Sequence, residues 1–164
     1  MRSFVASMVF LLCFPGIASA GINHCKDRGT SVLVLSEKSK LYLCKDDKVI
    51  NSYRVSLGSK GVGKTRKGDR KTPVGTYRLS SPRPSVSRFH MFIPVGYPTS
   101  SQRAQGYTGS AIGIHGPDQK YKKLGLLNTL VDWTAGCIAV GTNREIDNIS
   151  NWVSENRANR IIIE

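Results

Sequence analysis

One cysteine and one histidine stand in sequence contexts that suit covalent catalysis. His115 follows the apolar residues 112–114 and precedes Gly116, while Cys137 follows Gly136 and precedes a second apolar run. An ordinary thiol, with a pKa of about 8.5, keeps its proton at neutral pH, and a neighbouring imidazole removes that proton. The two residues therefore predict a cysteine nucleophile, Cys137, with His115 as its general base.

The glycine before the cysteine adds a third catalytic element. A residue without a Cβ lets the chain turn tightly, so that successive backbone N–H groups point at one spot. The N–H groups of Gly136 and Cys137 are thus expected to form an oxyanion hole, which stabilises a tetrahedral intermediate. Most cysteines are buried and inert, so a cysteine and a histidine alone are weak evidence for catalysis. The flanking glycines and the cysteine count discussed below strengthen the prediction for Cys137 and His115.

Length and composition indicate the class of protein that carries Cys137 and His115. The chain has 164 residues, 40% of them hydrophobic and 21% charged, with a net charge of +13. These values are typical of one folded domain and exclude a wholly disordered or fibrous chain. No apolar run reaches the length of a membrane span.

The first twenty residues have the layout of a targeting segment. Arg2 precedes an apolar run from Phe4 to Phe14, and Ala18-Ser-Ala20 follows a Pro-Gly break. This pattern predicts that residues 1–20 are a cleaved secretory signal peptide and that residues 21–164 form a single domain. The bulky leucines before Cys13 argue against lipid attachment there.

Three cysteines remain after that cleavage: Cys25, Cys44 and Cys137. Export implies an oxidising compartment, and an odd count leaves one thiol unpaired. Cys25 and Cys44 flank a short apolar stretch and are either joined by a disulfide or packed as small buried hydrophobic residues. The first alternative leaves Cys137 as the free thiol.

The remaining pattern is mainly that of short strands separated by polar turns. Thr142-x-x-Glu145 is a capping box before an apolar stripe and predicts a helix, and a shorter helix is predicted over 100–105. The fold class is therefore mainly β (α+β), with one or two packed helices. Strands are predicted over residues 31–35, 40–44, 48–57, 75–79, 88–93, 111–115, 137–140 and 160–163.

A long basic loop, residues 58–72, contains a match to the phosphate-binding loop pattern from Gly58 to Thr65. That motif places phosphates at the start of a helix, whereas Gly68 and Pro73 oppose a helix here. We predict no nucleotide binding. The loop's basic residues either attract an anionic cell wall or are simply solvated.

Several of these segments together resemble the L,D-transpeptidase catalytic-domain (YkuD-type) family, the cysteine enzymes that remodel bacterial peptidoglycan. The resemblance covers nearly all of residues 21–164. It is carried by residues 32–43, by the strand end at 55–58, by Lys67-Gly-Asp-Arg-Lys-Thr-Pro-Val-Gly-Thr-Tyr77, by Ile114-His115-Gly116 and by Thr134-Ala-Gly-Cys-Ile138.

The resemblance implies a fold and a set of roles. The family fold is a β-sandwich of mixed sheets with its active site in a cleft. Cys137 is implied as the nucleophile, His115 as the base, and the Gly116 carbonyl as the group that orients the imidazole. Thr134 is implied to shape the acyl pocket. No cofactor or metal is expected, because no short-spaced ligand pair of the zinc type is present.

The implied reaction is acyl transfer on peptidoglycan stem peptides in the periplasm or cell-wall space. Cys137 would attack the amide between the third residue of a stem tetrapeptide and its terminal D-alanine, forming a thioester. An amine of a second stem, a wall-attached protein or a free D-amino acid would then resolve it. No nucleic acid partner is expected.

The sequence departs from the family at two positions. Many relatives carry His two residues before the cysteine and Arg or Asn two residues after it, where this chain has Ala135 and Ala139. The departure leaves open a hydrolase on the same scaffold, either an L,D-carboxypeptidase or an amidase. A non-catalytic basic wall-binding module is a third alternative.

Two further residues are expected near the substrate. Trp133 lies in the stretch between His115 and Cys137, which is predicted to be a lid or cleft wall. His90 alternates with Phe89 and Met91 and is predicted to face the cleft. Packing and structural roles are the competing interpretations of both residues.

Overall fold

The structure, a computed structural model, describes residues 22–85 and 88–164, so the predicted signal peptide lies outside the described residues. Short 3₁₀ helices span Ser36–Lys38 and Lys122–Thr129. The strands and α-helices of the described ranges are β1 (Ser31–Leu35), β2 (Lys40–Lys45), β3 (Lys48–Ser56), β4 (Gly75–Arg78), β5 (Arg83–Pro84), β6 (Met91–Pro94), α1 (Ser100–Ala104), β7 (Gly113–His115), β8 (Ile138–Val140), α2 (Asn143–Glu155) and β9 (Arg160–Ile163).

The strands of the described residues form one mixed sheet in the order β4-β9-β1-β2-β3-β8-β7-β6-β5. The pairs β1 with β9 and β7 with β8 are parallel, and the others are antiparallel. Strand β3 joins the two halves, since it pairs with β2 along most of its length and with β8 through Val55 and Ser56. The predicted mainly β fold with mixed sheets and packed helices is confirmed.

The main core lies between the sheet and α2. Helix α2 begins with the predicted capping box, in which Thr142 and Glu145 each bind the other's backbone N–H. Its apolar stripe is buried against the strands. The stripe consists of Ile146, Ile149, Trp152 and Val153.

A smaller apolar cluster is grouped separately from the main core. It contains Leu33, Tyr42 and Ile162 together with Cys25 and Cys44. These cysteines form a disulfide with a Cα–Cα distance of 5.3 Å. The disulfide alternative is the one observed, and Cys137 is a free thiol.

Several element bounds differ from the sequence-based expectation, most of all around β6. The strand predicted over 88–93 is observed as Met91–Pro94, and it pairs with β5, which was not predicted. Strand β5 is the exposed dipeptide Arg83–Pro84, too short to show an alternating pattern.

In the part of the chain described, no helix is both long and apolar enough to cross a bilayer.

Candidate active site

The parallel pairing of β7 with β8 brings the two predicted reactive residues together. His115 lies opposite Ala139 and Ile114 opposite Ile138. Cys137 directly precedes β8, and its sulfur donates to the backbone carbonyl of Ala111, just before β7. Because β7 and β8 are adjacent and His115 pairs with Ala139, Cys137 and His115 lie on neighbouring strands, two residues apart in register.

The His115 ring is buried and fixed in orientation. It is 1% exposed, and its Nδ1 lies 2.6 Å from the carbonyl oxygen of Gly116. A carbonyl only accepts, so Nδ1 carries the proton and Nε2 is left as the acceptor. Phe89 stacks on the ring at 3.7 Å between centroids, and Trp133 meets it edge-on at 5.8 Å.

Burial keeps this imidazole neutral. It lowers the pKa of His115 to about 4, against the opposing effect of the Gly116 carbonyl, which favours the protonated ring. The ring is therefore an unprotonated base throughout the neutral range. Its tautomer presents Nε2 for proton transfer.

The Cys137 thiol is half-buried and protonated. Burial raises its pKa, although the Gly113 N–H and the charges of Lys64 and Arg88 favour the thiolate. Its Sγ donates to the carbonyl oxygen of Ala111 at 3.4 Å. The thiol and the imidazole are thus both neutral at neutral pH, so a thiolate forms only when a base removes the thiol proton.

One hydroxyl organises the turn that carries the nucleophile. Thr134 Oγ1 donates to the carbonyl oxygen of Cys137 at 2.7 Å and accepts from the Gly136 N–H at 3.0 Å. The Gly136 N–H was predicted as an oxyanion donor, but it already has this buried acceptor. The Cys137 N–H has no acceptor among the described residues, which leaves it as the open donor of the predicted two.

The glycine of this turn is required for two reasons. Gly136 has a φ of +126°, which disfavours any residue with a side chain. A Cβ there would also lie 2.5 Å from the carbonyl oxygen of Lys71, in the long basic loop. The basic loop therefore packs directly against the nucleophile's turn.

Backbone hydrogen bonds fasten the same loop to the same turn. The Ser59 N–H donates to the Thr134 carbonyl at 2.9 Å, and the Thr134 N–H donates to the Leu57 carbonyl at 3.0 Å. Within the loop, the Lys64 ammonium binds the Asp69 carboxylate at 2.7 Å. The lysine that the phosphate-loop pattern would place on a phosphate is thus engaged inside the protein.

A cavity of about 700 Å³ opens beside the thiol. Cys137, Ala111 and Ile112 line one part of it, and Phe89 and Phe92 line another. Arg83 and Arg88 add positive charge to its wall. A cleft of this kind admits a peptide and attracts its carboxylates.

The structure places His90 elsewhere. Its ring is 44% exposed and lies 2.9 Å from the carboxylate of Asp147 on α2. It does not line the cavity: Phe89 and His90 both precede β6, but Phe89 lines the cavity whereas His90 pairs with the helix residue Asp147. Trp133 contacts His115 rather than the cavity, and its indole N–H donates to the Asn128 carbonyl at 2.9 Å.

Two groups at the site had no sequence signal. Phe89 covers the imidazole, and Ala111 provides the thiol's acceptor, yet neither residue type indicates such a role. Asp69 belongs to the Gly-Asp motif noted in the sequence, but its role in folding the loop is seen only from its hydrogen bonds in the structure.

Within 22–85 and 88–164, no group of three His, Cys, Asp or Glu residues is arranged to hold a metal ion.

Comparisons with known proteins agree on the fold. The Escherichia coli K12 protein YafK, whose name assigns it provisionally to the L,D-transpeptidases, is 33% identical over 109 residues, covering 65% of this chain and 38% of YafK. The helical cell shape determining protein Pgp2 of Campylobacter jejuni is similar at a TM-score of 0.65 and 24% identity, covering 81% of this chain and 46% of Pgp2.

A third relative is close to this chain in size. The catalytic domain of the Enterococcus faecium L,D-transpeptidase matches at a TM-score of 0.53 and 15% identity, over 86% of this chain and 99% of that domain. The chain thus spans less than half of YafK and of Pgp2 but nearly all of an isolated catalytic domain. The sequence model of the YkuD family, described as the L,D-transpeptidase catalytic domain, matches residues 29–163. The chain therefore belongs to the L,D-transpeptidase catalytic domain family.

Proposed function

We propose that this chain is a cysteine acyltransferase that cleaves the bond between the third residue and the terminal D-alanine of tetrapeptide stems. The observation that carries the proposal is the position of Cys137. The one free thiol of the described residues lines a cavity next to a buried imidazole whose unprotonated Nε2 is set by the Gly116 carbonyl.

The first half-reaction uses that arrangement. As the sulfur attacks the amide carbonyl, His115 Nε2 takes the thiol proton and becomes an imidazolium. The Cys137 N–H donates to the oxyanion that forms. When the tetrahedral intermediate collapses, the imidazolium returns the proton to the leaving amine, so that D-alanine departs and a thioester remains.

The second half-reaction restores the thiol. His115, again neutral, takes a proton from the attacking amine; as the new amide forms and the C–S bond breaks, the imidazolium returns that proton to the sulfur of Cys137. The amine comes from a second stem, a wall-attached protein or a D-amino acid. Because burial keeps His115 unprotonated at neutral pH, its Nε2 is free to accept a proton in both steps.

The cavity wall supports an anionic substrate. Arg88 is tied to Asp118 at 2.8 Å, whereas the Arg83 guanidinium lies 5.8 Å over the Phe92 ring and forms no salt bridge among the described residues. Stem peptides carry free carboxylates. Arg83 is therefore the residue best placed to bind one of them.

Hydrolysis is the second candidate, and Ala139 favours it. The position where many relatives carry Arg or Asn is a fully buried methyl group here, which contacts nothing in the cavity. An acceptor held less firmly competes less well with water. The same thioester would then give L,D-carboxypeptidase or amidase products.

The proposed site of action is the periplasm or cell-wall space. The Cys25–Cys44 disulfide supports export, because such bonds persist in oxidising compartments. Peptidoglycan stems are found in the same compartment.

Intact-mass analysis of muropeptides tests the proposal. The reduced protein would be incubated with a disaccharide tetrapeptide and a D-amino acid, next to Cys137→Ala and to His90→Ala, a control outside the cavity. Exchange of D-alanine or dimer formation, lost only in Cys137→Ala, is expected. Loss of D-alanine to water alone would establish the carboxypeptidase. An unchanged spectrum, together with ordinary thiol reactivity of Cys137, would overturn catalysis in favour of a binding module.

A further inference from the structure

The segment between His115 and Cys137 carries a concentrated apolar surface, in residues 120–131. We call these residues the leucine-rich segment. Each of its large apolar side chains is at least half exposed. They are Tyr121, Leu124, Leu126, Leu127, Leu130 and Val131, with exposed fractions from 50% to 68%.

The buried side chains of this segment are polar. Asn128 donates to the carbonyl oxygens of Tyr121, Gly125 and Gly141 at 3.1, 3.0 and 3.3 Å. Thr129 Oγ1 donates to the Leu126 carbonyl at 2.8 Å. The polarity is thus inverted with respect to an ordinary surface segment, in which the leucines face inward.

Further contacts hold this arrangement in place. The Arg54 guanidinium donates to the Thr129 carbonyl at 3.0 Å, and the Ser56 hydroxyl donates to the Val131 carbonyl at 2.9 Å. Both donors lie on β3, in the middle of the sheet. The outward-facing leucines are therefore a fixed surface of the fold, and exposed patches of this kind mark interaction sites.

Charge identifies the occupant. Lys120, Lys122 and Lys123 are exposed within the segment, and it contains no Asp or Glu. Apolar side chains interleaved with lysines fit the interface of an anionic bilayer, where the leucines enter the headgroup region and the ammonium groups bind phosphates. We propose that the leucine-rich segment docks this domain onto an anionic lipid surface.

The proposal does not depend on the acyl-transfer chemistry. None of the exposed leucines lines the cavity beside Cys137. The segment joins β7 to β8, so that docking would hold the active site at a fixed height above the membrane. Lipid binding and catalysis are thus separately measurable.

Vesicle flotation tests the proposal with a matched control. Vesicles of phosphatidylglycerol and phosphatidylethanolamine are compared with vesicles of phosphatidylcholine alone. The doubly substituted variant L126S/L127S removes two exposed leucines, and V49S/I50S removes two exposed apolar residues of β3. We expect the unsubstituted protein and V49S/I50S to float with phosphatidylglycerol vesicles, and L126S/L127S to bind at least about tenfold more weakly.

The charge component is tested by K122Q/K123Q, which is expected to weaken binding to anionic vesicles more at low than at high salt. Near-UV circular dichroism verifies that each variant is folded. Three results would overturn the proposal: no flotation of the unsubstituted protein, equal flotation of L126S/L127S, or a dimer in light scattering that L126S/L127S dissociates.

Discussion

Thr134 illustrates how much of this site rests on single polar atoms. Its hydroxyl is buried and binds two backbone groups of the turn at once, the Cys137 carbonyl and the Gly136 N–H. Removing one partner of a buried hydrogen bond leaves the other without compensation, at a cost of about 1–3 kcal/mol. The position of Cys137, the proposed nucleophile, therefore depends on this one oxygen.

Replacing that hydroxyl by a methyl group should affect both stability and rate. Thr134→Val keeps the shape of the side chain but leaves the Gly136 N–H unpaired. We therefore expect a loss of about 2 kcal/mol in the free energy of unfolding and a slower release of D-alanine. Urea denaturation and D-alanine release measure the two effects. Thr134→Ser retains the oxygen and should recover most of both; equal losses in Ser and Val would contradict the hydrogen-bonding role.

The low pKa of His115 predicts a specific pH dependence of stability. The unfolded chain takes up the proton near pH 6.5, whereas the folded protein does so only near 4. Stability is therefore complete above pH 6.5 and is lost as the pH falls toward 4, by about 3 kcal/mol, because the unfolded state binds more protons there.

Urea denaturation between pH 7 and pH 4 measures this loss. His115→Asn should remove most of the slope above pH 4. His90→Asn, which changes an exposed ring paired with Asp147, should retain it. An unchanged slope in His115→Asn would contradict the assignment to the buried imidazole.

At this scale the sequence predicts candidate reactive residues but not the groups that contact them. Cys137 and His115 follow from residue type, glycine context and cysteine count. The occupied Gly136 N–H, by contrast, depends on the rotamer of the Thr134 side chain, and the Phe89 stack depends on a tertiary contact between the segment before β6 and His115 of β7. Neither leaves a spacing pattern in the chain.

At the scale of elements, the basic loop 58–72 supports the nucleophile's turn. Asp69 binds four donors: the Lys64 ammonium and the backbone N–H groups of Thr65, Arg66 and Lys71. Burial raises the pKa of this carboxyl, but those hydrogen bonds outweigh it and hold the pKa far below its ordinary range. The loop is thus folded around one carboxylate, and its Lys71 carbonyl abuts Gly136.

Neutralising that carboxylate should loosen the turn. In Asp69→Asn the amide replaces an oxygen acceptor, so the Lys64 ion pair and part of the backbone network are lost. We expect D-alanine release to slow by at least about tenfold, a cost of about 1.4 kcal/mol, mainly in kcat. Asp147→Asn, at an exposed pair that does not line the cavity, is the control. A change confined to KM would instead indicate that Asp69 contacts substrate.

The regular elements could be predicted where local signals are strong. The capping box fixes the start of α2, and β1 and β9 have the predicted bounds. The 3₁₀ helix over Lys122–Thr129 could not be predicted, because its outward leucines and inward asparagine reverse the usual pattern. Strand β5 could not be predicted either, because its two residues are assigned to a strand by their pairing with β6.

At the scale of the whole molecule, two apolar clusters of unequal size hold the fold together. The larger one packs α2 and most strands, including those that position His115 and Cys137. The smaller one contains the Cys25–Cys44 disulfide, which ties the chain before β1 to β2. The active site belongs to the larger cluster, so stability and catalysis should respond separately to changes in the smaller one.

The double variant C25A/C44A tests that separation. Removing a cross-link of this loop length should lower the free energy of unfolding by about 3 kcal/mol, because the unfolded chain gains freedom. D-alanine release at 25 °C should be unchanged, since no residue of the small cluster lines the cavity. Urea denaturation is measured without reductant, in a Cys137→Ala background, so that the Cys25–Cys44 disulfide of the comparison protein stays intact and no free thiol exchanges with it. Turnover is measured with the Cys137 thiol present. A fall in turnover parallel to the loss of stability would mean that the small cluster also shapes the site.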